Sequence, residues 1–170
     1  MKIATTVSVQ ILSRPANDPQ TDWSVLDEGP GYIEIPPQHS IALFLPRAED
    51  ETAAQLAEDW LSCTQLVKVD VSEGRRMGDA GMRQLARLHQ LTTLILNATG
   101  ISNQGLEHLL EMPKLEWLDI GHCTSIGDLG LRRLEQLRCL RYINLRGCPR
   151  ITQAGLKHLQ TNHRQLQIHR

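Results

Sequence analysis

The chain has 170 residues, of which 22% are charged and 41% hydrophobic, with a net charge of −1. This is the make-up of one foldable domain, or at most two small ones, and with aromatics at 4% leucine has to carry the packing. No stretch approaches the roughly 18 apolar residues of a membrane-spanning helix, and four cysteines without a CxxC pair point to free thiols rather than a disulfide framework.

At the N-terminus, "KIATTVSVQIL" alternates Ile3, Thr5, Val7, Val9 and Ile11, which predicts a strand. Its apolar residues are broken by Thr, Ser and Gln, unlike the continuous apolar core of a secretory signal. The expectation is therefore an intracellular, cytoplasmic protein with free thiols. Residues 13–31, "SRPANDPQTDWSVLDEGPG", read as a loop rich in Pro, Gly and Asp. "YIEIPPQHSIALFLP" reads as two short strands around a Pro-Pro turn, a β-hairpin. "SIALFLP" followed by "TAAQLAEDWL" reads as a strand and a helix, a degenerate first unit of what comes next.

From Leu66 the chain repeats. Units begin at Leu66, Leu91, Leu115 and Leu140, with lengths of 25, 24, 25 and 26 residues, and "LQIHR" closes the chain as a further strand. Apolar residues fill positions 1, 4 and 6 of each unit: Leu66/Val69/Val71, Leu91/Leu94/Leu96, Leu115/Leu118/Ile120 and Leu140/Ile143/Leu145. Side chains alternate across a strand, so positions 4 and 6 point to one face and positions 3, 5 and 7 to the other. An apolar residue follows at Met77, Ile101, Ile126 or Ile151, then a glycine four residues on at Gly81, Gly105, Gly130 or Gly155, then a helical pattern. Each unit is one strand, a bend and one short helix.

The fit to L-x-x-L-x-L-x-x-[NC] resembles the leucine-rich repeat family. "LEWLDIGHCTSIGDLGL" and "LRYINLRGCPRITQAGL" look like its cysteine-containing subclass, as in F-box-type repeat domains. Position 9 departs from that pattern at Gly74 and Thr99. The resemblance implies an α/β fold: a short right-handed solenoid with a parallel concave sheet and convex helices. Residues 1–65 are then an N-terminal β-containing cap with a hairpin and a degenerate first repeat, and residues 66–170 are four repeats plus a terminal strand. A solenoid needs such a cap because its end layers are otherwise exposed.

Asp119, His122 and Cys123 stand close together and invite a chemical reading. Cys123 and Cys148 share position 9, where in this repeat class a small hydrogen-bonding side chain fills the turn. Across adjacent strands they would lie about 4.8 Å apart, within the Cα range of a disulfide, so spacing alone leaves both states open. A zinc site needs about four ligands, and only His122 is adjacent. No Ser/His/Asp or Cys/His spacing and no phosphate loop is present. The reading is a non-enzyme without cofactor or metal.

The outward strand positions favour binding. Position 3 gives Lys68, Thr93, Trp117 and Tyr142, so two of the six aromatics fall side by side where the core does not need them. Trp, Tyr and Arg dominate interface hot spots. The candidate protein-binding residues are Trp117, Tyr142, Asp119, Asn144, Arg141, Arg146 and His122. The expected function is non-catalytic protein–protein interaction through the concave face, with a scaffold-like role. The alternative is an assembly or regulatory subunit that docks into a larger complex through its N-terminal segment.

Charge is uneven: residues 1–65 carry ten acids and three bases, residues 130–170 nine bases and one acid. That asymmetry would suit head-to-tail self-association. Arg132, Arg133, Arg138, Lys157 and Arg164 fall on the predicted helices as a solvated face. Without aromatics among them, nucleic acid is not the expected partner.

Overall fold

The structure is a computed structural model that describes residues 1–170. The N-terminal residues form β1 (Lys2–Thr5), β2 (Gln10–Pro15), β3 (Ser24–Glu28), β4 (Gly31–Glu34) and β5 (His39–Phe44). The alternation at residues 3–11 sets burial as the sequence implies: Ile3, Thr5, Val7, Val9 and Ile11 are all buried. It does not make one strand. β1 pairs antiparallel with β4 in a two-stranded sheet, whereas β2 joins the main sheet between β3 and β5. The break falls at Thr6, whose N–H and hydroxyl both donate to Asp59.

The hairpin expected around Pro36-Pro37 is likewise replaced. β4 and β5 belong to different sheets, and the paired hairpin is β2–β3, inside the segment read as loop. β3 escapes a pattern reading because only Leu26 along it is even half-buried. An edge strand packed on one side needs no apolar alternation.

The rest runs as α1 (Asp50–Trp60), β6 (Leu66–Asp70), α2 (Asp79–Leu85), β7 (Thr93–Ile95), a 3-10 helix (Gly105–Glu111), β8 (Trp117–Asp119), α3 (Asp128–Leu134), β9 (Tyr142–Asn144), α4 (Gln153–Asn162) and β10 (Gln167–His169). The main sheet has the order β10-β9-β8-β7-β6-β5-β2-β3, and β5 to β10 are all parallel. Each strand is followed by a helix and then by the strand beside it. The second repeat is a 3-10 helix, not an α-helix, in the 24-residue unit, the shortest of the four, where Pro113 follows closely.

Positions 1, 4 and 6 of every repeat are buried together with the inner faces of the helices, in one apolar cluster of 46 residues from Ile3 to Leu166. Each such Leu, Ile or Val is stabilised by roughly 1.5–3 kcal/mol relative to exposure. The helices pack in sequence order, α1 on α2, then the 3-10 helix, α3 and α4. The opposite face of the sheet carries no helix, and its side chains are half-buried or exposed apart from the small Ala42.

The recurring glycines have a structural cause. Gly78 and Gly127 stand at helix N-caps, where glycine supplies no side-chain acceptor. The acceptor comes from the preceding repeat: Asp50 Oδ1 accepts from Gly78 N and Gly81 N, both at 2.8 Å, and Asn103 Oδ1 from Gly127 N and Gly130 N at 2.9 and 3.1 Å. Asp79 does the same for Ser102, and Asp128 for Thr152, whose hydroxyl holds the Asp128 carboxyl below the usual carboxylate range. A Cβ on Gly81, Gly105, Gly130 or Gly155 would collide with that same Asp or Asn side chain.

Candidate protein-binding groove

In three of the four repeats the position 9 side chain closes the turn from inside. Thr99 Oγ1 donates to Leu96 O at 2.8 Å, Cys123 Sγ to Leu96 O at 3.2 Å and Cys148 Sγ to Ile120 O at 3.1 Å. All four cysteines are free thiols. Burial raises the Cys63 and Cys123 thiols, and burial with Cys123 nearby pushes Cys148 up to about 11. Thiolates are the reactive form, so these three are inert filler.

Cys139 is exposed, because the turn after α3 turns it out of the core. Iodoacetamide at pH 8 should therefore alkylate one thiol per native chain rapidly and four in guanidinium, read by intact mass. Fast native labelling of two or more thiols would contradict the packing around position 9.

His122 occupies position 8, which is left-handed in every repeat: Glu73, Ala98, His122 and Gly147 have φ of 60°, 55°, 57° and 71°. The backbone N–H of His122 donates to Arg146 O at 2.7 Å, and its exposed ring lies against Gly147. No three His, Cys, Asp or Glu side chains gather as a metal site.

Asp119 is engaged within the sheet. Its Oδ1 accepts from Asn97 Nδ2 at 3.2 Å and Gly121 N at 2.8 Å, and its Oδ2 accepts from Asn144 Nδ2 at 2.9 Å. Asn144 Oδ1 in turn accepts from Arg146 N at 3.0 Å. A Cβ on Gly121 would meet Asn97 Nδ2 at 2.6 Å, so the missing side chain there makes room for the ladder.

Trp117 and Tyr142 are register partners on β8 and β9. Their rings stack with centroids 3.7 Å apart and an interplanar angle of 16°. Trp117 remains 45% exposed. They form one wall of an open groove of about 1000 Å³ at the end of the sheet where the parallel strands begin. Arg141 lines it too, with Glu116 beside it at 3.7 Å. Asp119, Asn144, Arg146 and His122 do not line it; they lie towards the other ends of the strands. The seven candidates thus separate into a groove set of three and a ladder-and-turn set of four.

Arg138, Cys139, Arg164 and Arg14 line the groove as well, and the sequence pattern places none of them there. Arg138 and Arg164 are expected on helices, but α3 ends at Leu134 and α4 at Asn162. Both instead occupy the turn two residues before the next repeat's first leucine, Leu140 and Leu166, and that shared spacing is the available signal. Arg14 arrives because β2 runs antiparallel to β5, pairing with Ser40 at the same edge of the sheet. Its guanidinium lies 4.4 Å from the Trp23 ring centroid and donates to Pro19 O at 2.6 Å. Only 5 of the 17 lining residues are hydrophobic. Enclosed small-molecule sites are mostly apolar, so this open, polar lining suits a macromolecular surface.

Residues 111–134 match the family model described as Leucine Rich repeat. No curated protein matches the chain. Among solved structures, a chain in the crystal structure of the Rad7 and Elc1 complex in yeast is similar over 74% of this chain and 31% of its own length, at 17% identity and a TM-score of 0.60. The present chain therefore spans less than a third of that one. Leiomodin-1 actin-binding site 2 is similar over 69% of this chain and 75% of its own, at 15% identity and a TM-score of 0.52.

Proposed function

We infer, from the leucine-rich repeats that this chain carries, that it is a non-catalytic protein–protein interaction module. The repeats would form a short solenoid whose helix-free face is concave and receives the partner. Leucine-rich repeats serve in general as an interaction fold. The similar structures support that role: one is a complex of two proteins and the other an actin-binding site. Those partners belong to those proteins.

The observation that carries the reading is the Trp117–Tyr142 stack on the wall of an open groove. Neither ring is needed to fill the core, and large aromatics at a water-excludable surface are the usual anchors of an interface. Capture of partners from a cell extract by the wild-type chain should fall at least tenfold for Trp117→Ala/Tyr142→Ala, with circular dichroism and melting showing both chains folded. An unchanged set of captured proteins would sink the reading.

A further inference from the structure

We propose that the groove takes an acidic, extended segment of a partner protein, its carboxylates held by Arg138, Arg141 and Arg164; this rests on the interaction reading above. Four arginines line the groove, Arg14, Arg138, Arg141 and Arg164, against one acid, Glu116. That acid lies 3.7 Å from Arg141, and no carboxylate of the chain lies within ion-pair distance of the other three. Arg138 and Arg164 each stand two residues before the first leucine of a repeat, so two exposed arginines without an ion-pair partner form a row along the same groove. Such a row costs repulsion in the free chain, and an anionic occupant relieves it. Planar guanidinium groups also match carboxylates in a paired geometry.

The aromatics separate an acidic protein from a nucleic acid. Single strands bind by laying bases on free ring faces. Here each ring gives one face to the other, and the register places Thr93 beside Trp117 and Gln167 beside Tyr142 on the outer flanks. With the outer flanks occupied in this way, we take the ring edge, the electropositive part of an aromatic, as what an occupant of the groove meets. The Trp117 indole N–H and the Tyr142 hydroxyl take no partner within the chain. Edges and unpaired donors beside arginines suit carboxylates and peptide carbonyls.

The test uses the full chain and a fluorescein-labelled (Glu-Ala)6 peptide, with (Gln-Ala)6, (Lys-Ala)6 and the oligonucleotide dT12 as comparisons, read by anisotropy. The acidic peptide should bind at least tenfold more tightly than the Gln peptide and weaken with added salt. Arg138→Glu/Arg164→Glu should remove that preference and Arg138→Gln/Arg164→Gln reduce it, each with an unchanged melting curve, since both side chains are exposed.

Equal binding of the Glu and Gln peptides, or tighter binding of dT12, overturns the proposal. So does a sedimentation coefficient that rises with concentration in the wild type and not in the Arg→Glu variant, which would hand the groove to a second copy. If capture of cellular partners depends on Trp117 and Tyr142 yet survives Arg138→Glu/Arg164→Glu, this proposal fails and the interaction reading stands. If capture ignores the aromatics, the interaction reading fails, whatever the peptide does.

Discussion

Gly130→Ala should destabilise the chain by about 2 kcal/mol, although alanine is the better helix former by about 1 kcal/mol. Gly130 lies in α3, where propensity alone predicts a gain. The added methyl group would come within 2.6 Å of Asn103 Oδ1 and 2.8 Å of Leu106 Cδ1. Neither neighbour is free to retreat. Asn103 accepts from Gly127 N and Gly130 N, and Leu106 is fully buried.

Overpacking costs about 1–3 kcal/mol, and displacing the acceptor loses a cap worth about 0.5–2 kcal/mol. Together these exceed the propensity gain. For a chain of this size the melting temperature should drop by about 4–8 °C. Leu129→Ala, one residue away and exposed, should change it little. A Gly130→Ala variant that melts at or above the wild-type temperature would show that the cap between repeats does not constrain this position.

The contrast marks what pattern can and cannot reveal. The period, the buried positions and the pairing of Trp117 with Tyr142 are legible because each follows from residue type at a fixed offset. The recurrence of Gly130 and its equivalents is visible too, but its cause is not. The cap comes from Asn103, in another unit, and only folding brings the two together. The same holds for the groove. Arg141 is legible from its strand position, whereas Arg14 reaches the rim through the antiparallel return of β2. Arg138 and Arg164 read as helical because helical periodicity does not mark where a short helix stops. β3 goes unseen because an edge strand lying on one neighbour leaves almost no apolar trace. The residues that invited a chemical reading, Asp119, His122 and Cys123, turn out to serve a ladder, a left-handed turn and a buried seal.

Asp119→Ala should cost about 2–3 kcal/mol, and more stability than Trp117→Ala, which inverts the order expected if both were surface binding residues. The carboxylate accepts three hydrogen bonds, from Asn97, Gly121 and Asn144, across three consecutive repeats. Hydrogen bonds to a charged acceptor are worth about 1.5–3 kcal/mol each when buried. Asp119 is half-buried, so water recovers part of the loss, and the total falls well below the sum.

Asp119→Asn should be intermediate, at about 1–2 kcal/mol. It keeps the shape but turns one oxygen into a donor facing the donor amides of Asn97 or Asn144. Trp117→Ala removes a ring that is 45% exposed and loses a stacking contact worth about 0.5–1.5 kcal/mol. Thermal melts of the three variants, set against capture of cellular partners, separate the roles. Asp119→Ala should lower the melting temperature by about 5–10 °C and weaken capture only as far as the repeats loosen, whereas Trp117→Ala should weaken capture with a smaller thermal cost. If Asp119→Ala melts like the wild type yet abolishes capture, the carboxylate belongs to the interface and the Asn97–Asp119–Asn144 ladder is dispensable to the sheet.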